Sequence, residues 1–354
     1  MRRGVPSNPF GPAKSPPRWL IGAGAAAAVV AIATLLTLAW AGFGYWGSGP
    51  AAQRGAQTTV ILRRGAGLTE IADALESAGA IRSSTLFLVA AQASGAASQL
   101  KAGEYAFASR SSLSDVLDKV RRGEIVRHFV TVPEGVTSEV AVEILQRSPV
   151  LEGAAPIPPE GSLLPETYDV QRGDDRGAVL ERMTRAQRRL LDELWPRRAP
   201  DLPVRSPEEA VILASVVEKE TGLAAERPRV AAVFVNRLRQ GMRLESDPTV
   251  VYGLTGGRPL GRGLRKSELA AATPYNTYQI PGLPPGPITN PGRASLAAVL
   301  NPPRTDELFF VADGTGGHVF ARTFDEHLEN VARWRAVERE RAAAAVRTPA
   351  AAIR

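Results

Sequence analysis

Two carboxylates stand at the end of an apolar run, Glu218 and Glu220 in Val211–Thr221, VILASVVEKET. Carboxyl groups are the acids and bases of glycosidic-bond chemistry, where a proton must reach a leaving oxygen. Their spacing limits what the pair can do. Two positions apart on a helix, they diverge by about 200° at 3.6 residues per turn, too far to flank one bond as acid and nucleophile. A single carboxylate acting first as acid and then as base fits better, with Asp247 the second carboxylate if the reaction is hydrolysis. Stepping back by three and four positions, Glu220 shares a stripe with Val217, Val216 and Leu213, and Glu218 shares one with Ser215, Ala214 and Val211. Glu220 thus extends the bulkier apolar face. The negative end of the helix dipole and partial burial both oppose ionisation there, which suits a general acid. The plainer reading keeps both as last-turn residues paired with Lys219 and Arg227.

Other chemistries lack their residues. The chain has no cysteine, hence no thiolate nucleophile, disulfide or thiolate metal site. His128, His318 and His327 lack metal-ligand spacing, and neither G-x-S-x-G nor a phosphate-binding glycine loop occurs. A zinc site is therefore not expected.

Positioning falls to the flanking elements. Ser206 as N-cap, Pro207 in the first turn, Glu209 closing a capping box and Gly222 at C′ predict a helix over 207–221. A second helix over 226–240 carries Val230, Val233, Phe234 and Leu238 on one face and ends at Gly241. Together they predict a packed, buried helical pair with Glu220 at its corner. Asp247 and Tyr252 follow. The Pro-rich stretch Thr273–Pro291 carries Tyr275, Asn276 and Tyr278 beside apolar Ile280, Leu283 and Ile288. It reads as a long ordered loop whose aromatic faces and amide suit sugars. Asn290 and Pro291 start a helix to about Leu300. Leu308–Ala312 and Val319–Ala321 form a hairpin, and Thr323 with Glu326 caps a last helix that frays into an Ala/Arg tail. The basic face of Arg185, Arg188 and Arg189, on a helix over 176–195, reads as a solvated surface.

The 354-residue chain has a net charge of +7, with the excess at its two ends. Arg2, Arg3, Lys14 and Arg18 precede Leu20–Trp46, which holds no charged residue and is long enough to span a bilayer. Basic residues before the span predict a cytoplasmic tail at 1–18 and a transmembrane helix at 19–46, with Trp40, Tyr45 and Trp46 near the outer interface. The apolar run is too long for a signal-peptide core, so an uncleaved anchor is expected, with the rest extracytoplasmic. A linker occupies 47–57. A strand–turn–helix unit then recurs about three times over 58–150, an α+β pattern, with a Pro-rich boundary near 150–159. The basic excess sits in the tails, so nucleic acid is not expected as a partner.

At this point longer blocks matter: Glu218–Thr221, VAAVFVNRL (230–238), GMRLESDPTVVYG (241–253), TPYNTY (273–278), GLPPGPI (282–288) and FVADGTGGHVF (310–320). In order and spacing over about 163–335 they resemble the YceG-like endolytic murein transglycosylases, the MltG family. The resemblance implies a mixed α+β catalytic domain over 160–335, a LysM-like region at 58–150 and a tail at 336–354. It implies cleavage between N-acetylmuramic acid and N-acetylglucosamine within nascent peptidoglycan strands, leaving 1,6-anhydromuramyl ends. The family's catalytic glutamate falls on Glu220, and neither a metal nor an organic cofactor is implied. Glu218, Asp247, Tyr252, Tyr275, Asn276 and Tyr278 are expected to support it or to contact substrate. The implied setting is the inner membrane, with the catalytic domain periplasmic and peptidoglycan synthases as partners. The competing expectations are a hydrolytic peptidoglycan glycosidase and a non-catalytic wall-binding scaffold.

Overall fold

The computed structural model describes residues 18–347, with side chains from 26 to 341. Arg2, Arg3 and Lys14 of the expected cytoplasmic tail, and the last residues of the Ala/Arg tail, lie outside the described residues. The chain divides into two compact units, one up to Val126 and one from Arg127.

The first unit begins with α1 (Arg18–Trp46), whose stretch Ala26–Trp46 has a mean hydropathy of 2.1 and is long and apolar enough to cross a membrane. There follow β1 (Gln57–Leu62), α2 (Leu68–Ser77), α3 (Ser84–Ala93), a 3-10 turn at Ala96–Ser98, β2 (Gly103–Ala108) and α4 (Leu113–Arg122). β1 and β2 are antiparallel, with Val60 opposite Tyr105 and Leu62 opposite Gly103. Alternation along β1 turns Val60 and Leu62 inward, against Leu75 of α2, Phe87 of α3 and Leu117 of α4. A capping box between Ser112 and Asp115 starts α4, and the left-handed Gly123 ends it.

The second unit contains β3 (His128–Thr131), α5 (Ser138–Arg147), β4 (Leu151–Glu152), β5 (Thr167–Val170), β6 (Asp174–Asp175), α6 (Arg176–Leu194) and a 3-10 turn at Trp195–Arg197. It continues with α7 (Pro207–Glu220), α8 (Arg227–Arg239), α9 (Asp247–Thr255), α10 (Lys266–Ala270), α11 (Arg293–Leu300), β7 (Phe309–Ala312), β8 (His318–Ala321) and α12 (Phe324–Arg347). β3 and α5, which the strand–helix pattern groups with the preceding region, belong here. β3 pairs antiparallel with β5, Val130 opposite Tyr168, and Val130, Leu145, Leu163, Val170 and Met183 share a core. A repeat pattern gives strands but not their partners, and this partner lies far down the chain.

The core that carries the two glutamates is made by three helices. α7, α8 and α11 contribute Leu213, Val216, Val230, Phe234, Leu296 and Val299, all buried. A pair alone is thus an incomplete account: α11 packs against both. That helix begins at Arg293 after Gly292, because Asn290 and Pro291 are held in the loop. The hairpin forms as β7 against β8, with Phe310 opposite Phe320. Thr323 Oγ1 accepts from the Glu326 amide, Glu326 accepts from Arg322 N at 2.8 Å, and the helix they cap continues to Arg347 where fraying was expected. Its Ala, Glu and Arg residues are good helix formers.

Candidate active site

The site is assembled at the C-terminal end of α7. Ser206 caps the other end by accepting from Glu209 N at 3.2 Å. Glu209 reaches back one residue further than a capping box requires, to Arg205 N at 2.6 Å. α7 stops at Glu220 because Thr221 is extended (φ −139°, ψ 131°), and Gly222 is not left-handed. The Thr221 hydroxyl accepts from Leu223 N at 3.0 Å and thereby fixes the turn into α8. Both glutamates therefore sit in a terminal turn whose last carbonyls lack helical partners.

Their surroundings differ. The Glu218 side chain is 4% exposed and pairs at 3.1 Å with Arg227, itself 9% exposed. Its other oxygen accepts from Gly292 N, the N-cap of α11, at 2.9 Å. Glu134 lies 3.5 Å from the same guanidinium, and burial followed by the charge of Glu218 pushes its carboxyl up. This cluster ties α7, α8 and α11 together.

Among the described residues, Glu220 meets no cation at bonding distance. Its carboxylate accepts a short hydrogen bond from Ser246 Oγ. Burial pushes its pKa up to about 7; the Ser246 bond opposes this, Asp247 adds to it, and His318 and Arg237 oppose it. Ser246 occupies the N-cap position of α9, yet its hydroxyl caps nothing there, being spent on Glu220. The residue before it, Glu245, is left-handed (φ 52°), a strained state for a side chain-bearing residue. Arg237 holds it, donating to Glu245 Oε2 at 3.1 Å and to the Leu244 carbonyl at 3.0 Å. Ser246 N donates to Thr277 Oγ1 at 2.9 Å, and the Thr277 and Thr249 hydroxyls lie 2.9 Å apart. The loop 273–291 thus fixes the backbone that aims Ser246.

Asp247 opens α9, and its Oδ1 accepts from the Tyr278 hydroxyl at 2.7 Å. Burial and then that bond push the Tyr278 phenol up. Tyr252 and Tyr275 pack with ring centroids 4.9 Å apart. Burial pushes Tyr252 up to about 12. Asn276 is 0% exposed. Its amide donates to the Glu268, Leu269 and Ala271 carbonyls and accepts from Tyr278 N. It holds the loop and leaves no amide group for a sugar. Glu226 accepts from His318 N at 2.8 Å and lies 2.8 Å from His318 Nδ1. Burial pushes Glu226 up, but its bonds to His318 and Thr221 leave it below the usual carboxylate range.

Ser246, His318 and Glu226 are not anticipated as neighbours of Glu220, whereas Arg227 is named from the sequence as a carboxylate partner and pairs with Glu218. A serine before Asp-Pro reads as a helix cap, and nothing in its spacing connects it to Glu220. Asn290 escapes as well: it accepts from Leu163 N at 3.0 Å and donates to the Val136 carbonyl and to Glu160, stitching three segments under the site. Among the described residues, no cluster of His, Asp and Glu is arranged to hold a metal ion.

The YceG-like family model matches residues 60–333. The chain belongs to the YceG-like family. Among its relatives, a Bacillus subtilis strain 168 protein named endolytic murein transglycosylase is 32% identical over 64% of this chain and 58% of its own length. A protein of the same name from Streptococcus pneumoniae serotype 2 strain D39 is 28% identical over 77% of this chain and 58% of its own. The chain thus spans 58% of the length of the curated relatives it matches. A crystal structure of a YceG-like protein from Listeria monocytogenes is 27% identical, covers 77% of this chain and 98% of the other, and superposes with a TM-score of 0.47. In this YceG-like chain, the match runs from within β1 through α4 and takes in the whole Glu220 site.

Proposed function

We propose that this chain is a membrane-anchored lytic transglycosylase that cuts peptidoglycan strands internally, with Glu220 as its single acid–base group. The observation that carries the reading is the Glu220 carboxyl: it meets a hydroxyl in place of a cation and is pushed up to about 7. Such a group holds its proton near neutral pH and can still release it. Relatives named endolytic murein transglycosylases support the choice of substrate.

In this mechanism Glu220 protonates the glycosidic oxygen between N-acetylmuramic acid and N-acetylglucosamine as the bond to the muramyl C1 breaks. The Glu220 carboxylate then accepts the proton of the C6 hydroxyl, whose oxygen bonds to C1 and closes the 1,6-anhydro ring. No water is consumed, and Glu220 ends protonated. Ser246 Oγ steadies the carboxylate between the two steps. The negative charge of Asp247 opposes early ionisation of Glu220 and favours the cationic character that develops at C1. Glu218 acts as a brace for the helix end.

α1 fits a single membrane anchor, with its basic N-terminal side cytoplasmic and the chain that follows it beyond the membrane. In this reading Glu220 acts on nascent strands as they emerge from synthases. Digestion of polymeric glycan with the purified chain, followed by mass spectrometry, tests the reaction. Anhydromuramyl ends are expected. Reducing ends would instead favour hydrolysis with Asp247 as the second carboxylate, and uncut strands a binding scaffold.

A further inference from the structure

We infer that Lys219 recognises a carboxylate on the muramyl unit bound beside Glu220, and that the cavity it lines receives this acidic branch of the substrate. The inference rests on the proposed reaction and adds a specificity residue to it.

Lys219 stands between the two glutamates on the last turn of α7 and is exposed. Its ammonium meets the Gly135 carbonyl at 3.4 Å, and among the described residues no carboxylate pairs with it. The neighbouring cations are all taken: Arg227 by Glu218 at 3.1 Å, Arg237 by Glu245 at 3.1 Å and Arg258 by Glu139 at 2.7 Å. Lys219 therefore offers an uncompensated positive charge.

That charge lies on the wall of a cavity of about 370 Å³, whose lining also includes Asp247, Pro248, Val251 and Tyr252. Asp247 belongs to the Glu220 cluster, so the cavity adjoins the reacting groups. The two charged walls differ in sign. An anion is repelled at Asp247 and attracted at Lys219, which orients an acidic sugar substituent within the space. Tyr252 and the prolines give its ring an apolar face. Gly257 keeps the wall open: it is left-handed (φ +88°), and a Cβ there would lie 2.4 Å from Thr137 Cγ2. A muramyl unit differs from its partner sugar by a lactyl arm, which ends in a carboxylate when bare and in an acidic peptide when substituted. Both present the same chemistry to a lysine.

The test measures kcat and KM of the full chain in detergent on three polymeric glycans: peptide-free with the lactyl carboxylate exposed, peptide-free with that carboxyl converted to a neutral amide, and peptide-bearing. On the acidic peptide-free glycan, Lys219→Met is expected to raise KM about tenfold, the scale of one lost charge-assisted hydrogen bond, with Lys219→Arg retaining most of the affinity. Neutralising the lactyl group should raise the wild-type KM by a similar factor, and Lys219→Met should add no further rise on that substrate. If the Lys219 dependence appears only on the peptide-bearing glycan, the carboxylate recognised is the peptide's. The inference is overturned if Lys219→Met alters KM equally on acidic and neutral glycans, or on none. The neutral-substrate comparison needs no variant, so it decides even where Lys219→Met misfolds. A wild-type chain that yields no anhydromuramyl ends on any of the three would overturn the reaction itself; anhydro ends without Lys219 dependence would overturn only this inference.

Discussion

The two sides of the α7 terminus make opposite uses of the same residue type. On one side Glu218 is buried against Arg227 and the Gly292 amide. On the other, Glu220 is partly buried against a serine hydroxyl and a neighbouring carboxylate. A buried carboxylate held by a guanidinium and a backbone amide is fixed in place, and what it supplies is structure. A carboxyl whose surroundings set burial against one hydroxyl bond has a proton it can lose and regain. Burial alone does not separate the two carboxyls; the nature of their partners does.

Breaking the Glu220 side should have the largest effect. Glu220→Gln is expected to cut turnover of polymeric glycan by about 10³-fold or more, the scale of a lost general acid, while circular dichroism stays unchanged. The same variant has a stability signature. Because the folded-state pKa of Glu220 is raised, its stabilising contribution is full below the ordinary carboxylate range and is lost as pH rises through about 7. Denaturant midpoints should therefore show Glu220→Gln gaining on the wild type by about 3 kcal/mol at pH 8, and not at pH 4.

Breaking the Glu218 side should act on stability. Glu218→Gln leaves Arg227 buried without its close partner, at a cost of about 3 kcal/mol. Activity should fall only as far as the folded fraction does. A Glu218→Gln chain that is stable but inactive would merge the two sides into one catalytic pair.

Smaller changes sharpen the contrast. Ser246→Ala removes the bond that lowers the Glu220 pKa, so the alkaline limb of the rate profile should move to higher pH, with kcat reduced about tenfold. Asp247→Asn removes a charge that raises it, so the limb should move to lower pH. Opposite displacements from two adjacent residues would place both beside the same carboxyl.

Much of this site is legible in the chain. The apolar stripe that separates Glu220 from Glu218 follows from helical periodicity, and the elements around it read correctly to within a few residues. Glu218 and Arg227 could be named as partners because they flank one turn. Ser246 could not: its contact with Glu220 depends on a left-handed Glu245 and on Thr277 gripping its amide from another loop. Asn276 misleads in the other direction. Its type suits a sugar, but three carbonyls close by in sequence consume its amide. Periodicity reports which face a side chain takes; it does not report which distant backbone groups will meet it there.

The pH dependence of kcat/KM for the wild-type chain on polymeric glycan tests the central claim most directly. A protonated Glu220 as the acid predicts a plateau at low pH and a tenfold fall per unit above a midpoint near pH 7. A profile that stays flat to pH 9, or that breaks in the ordinary glutamate range, would contradict it.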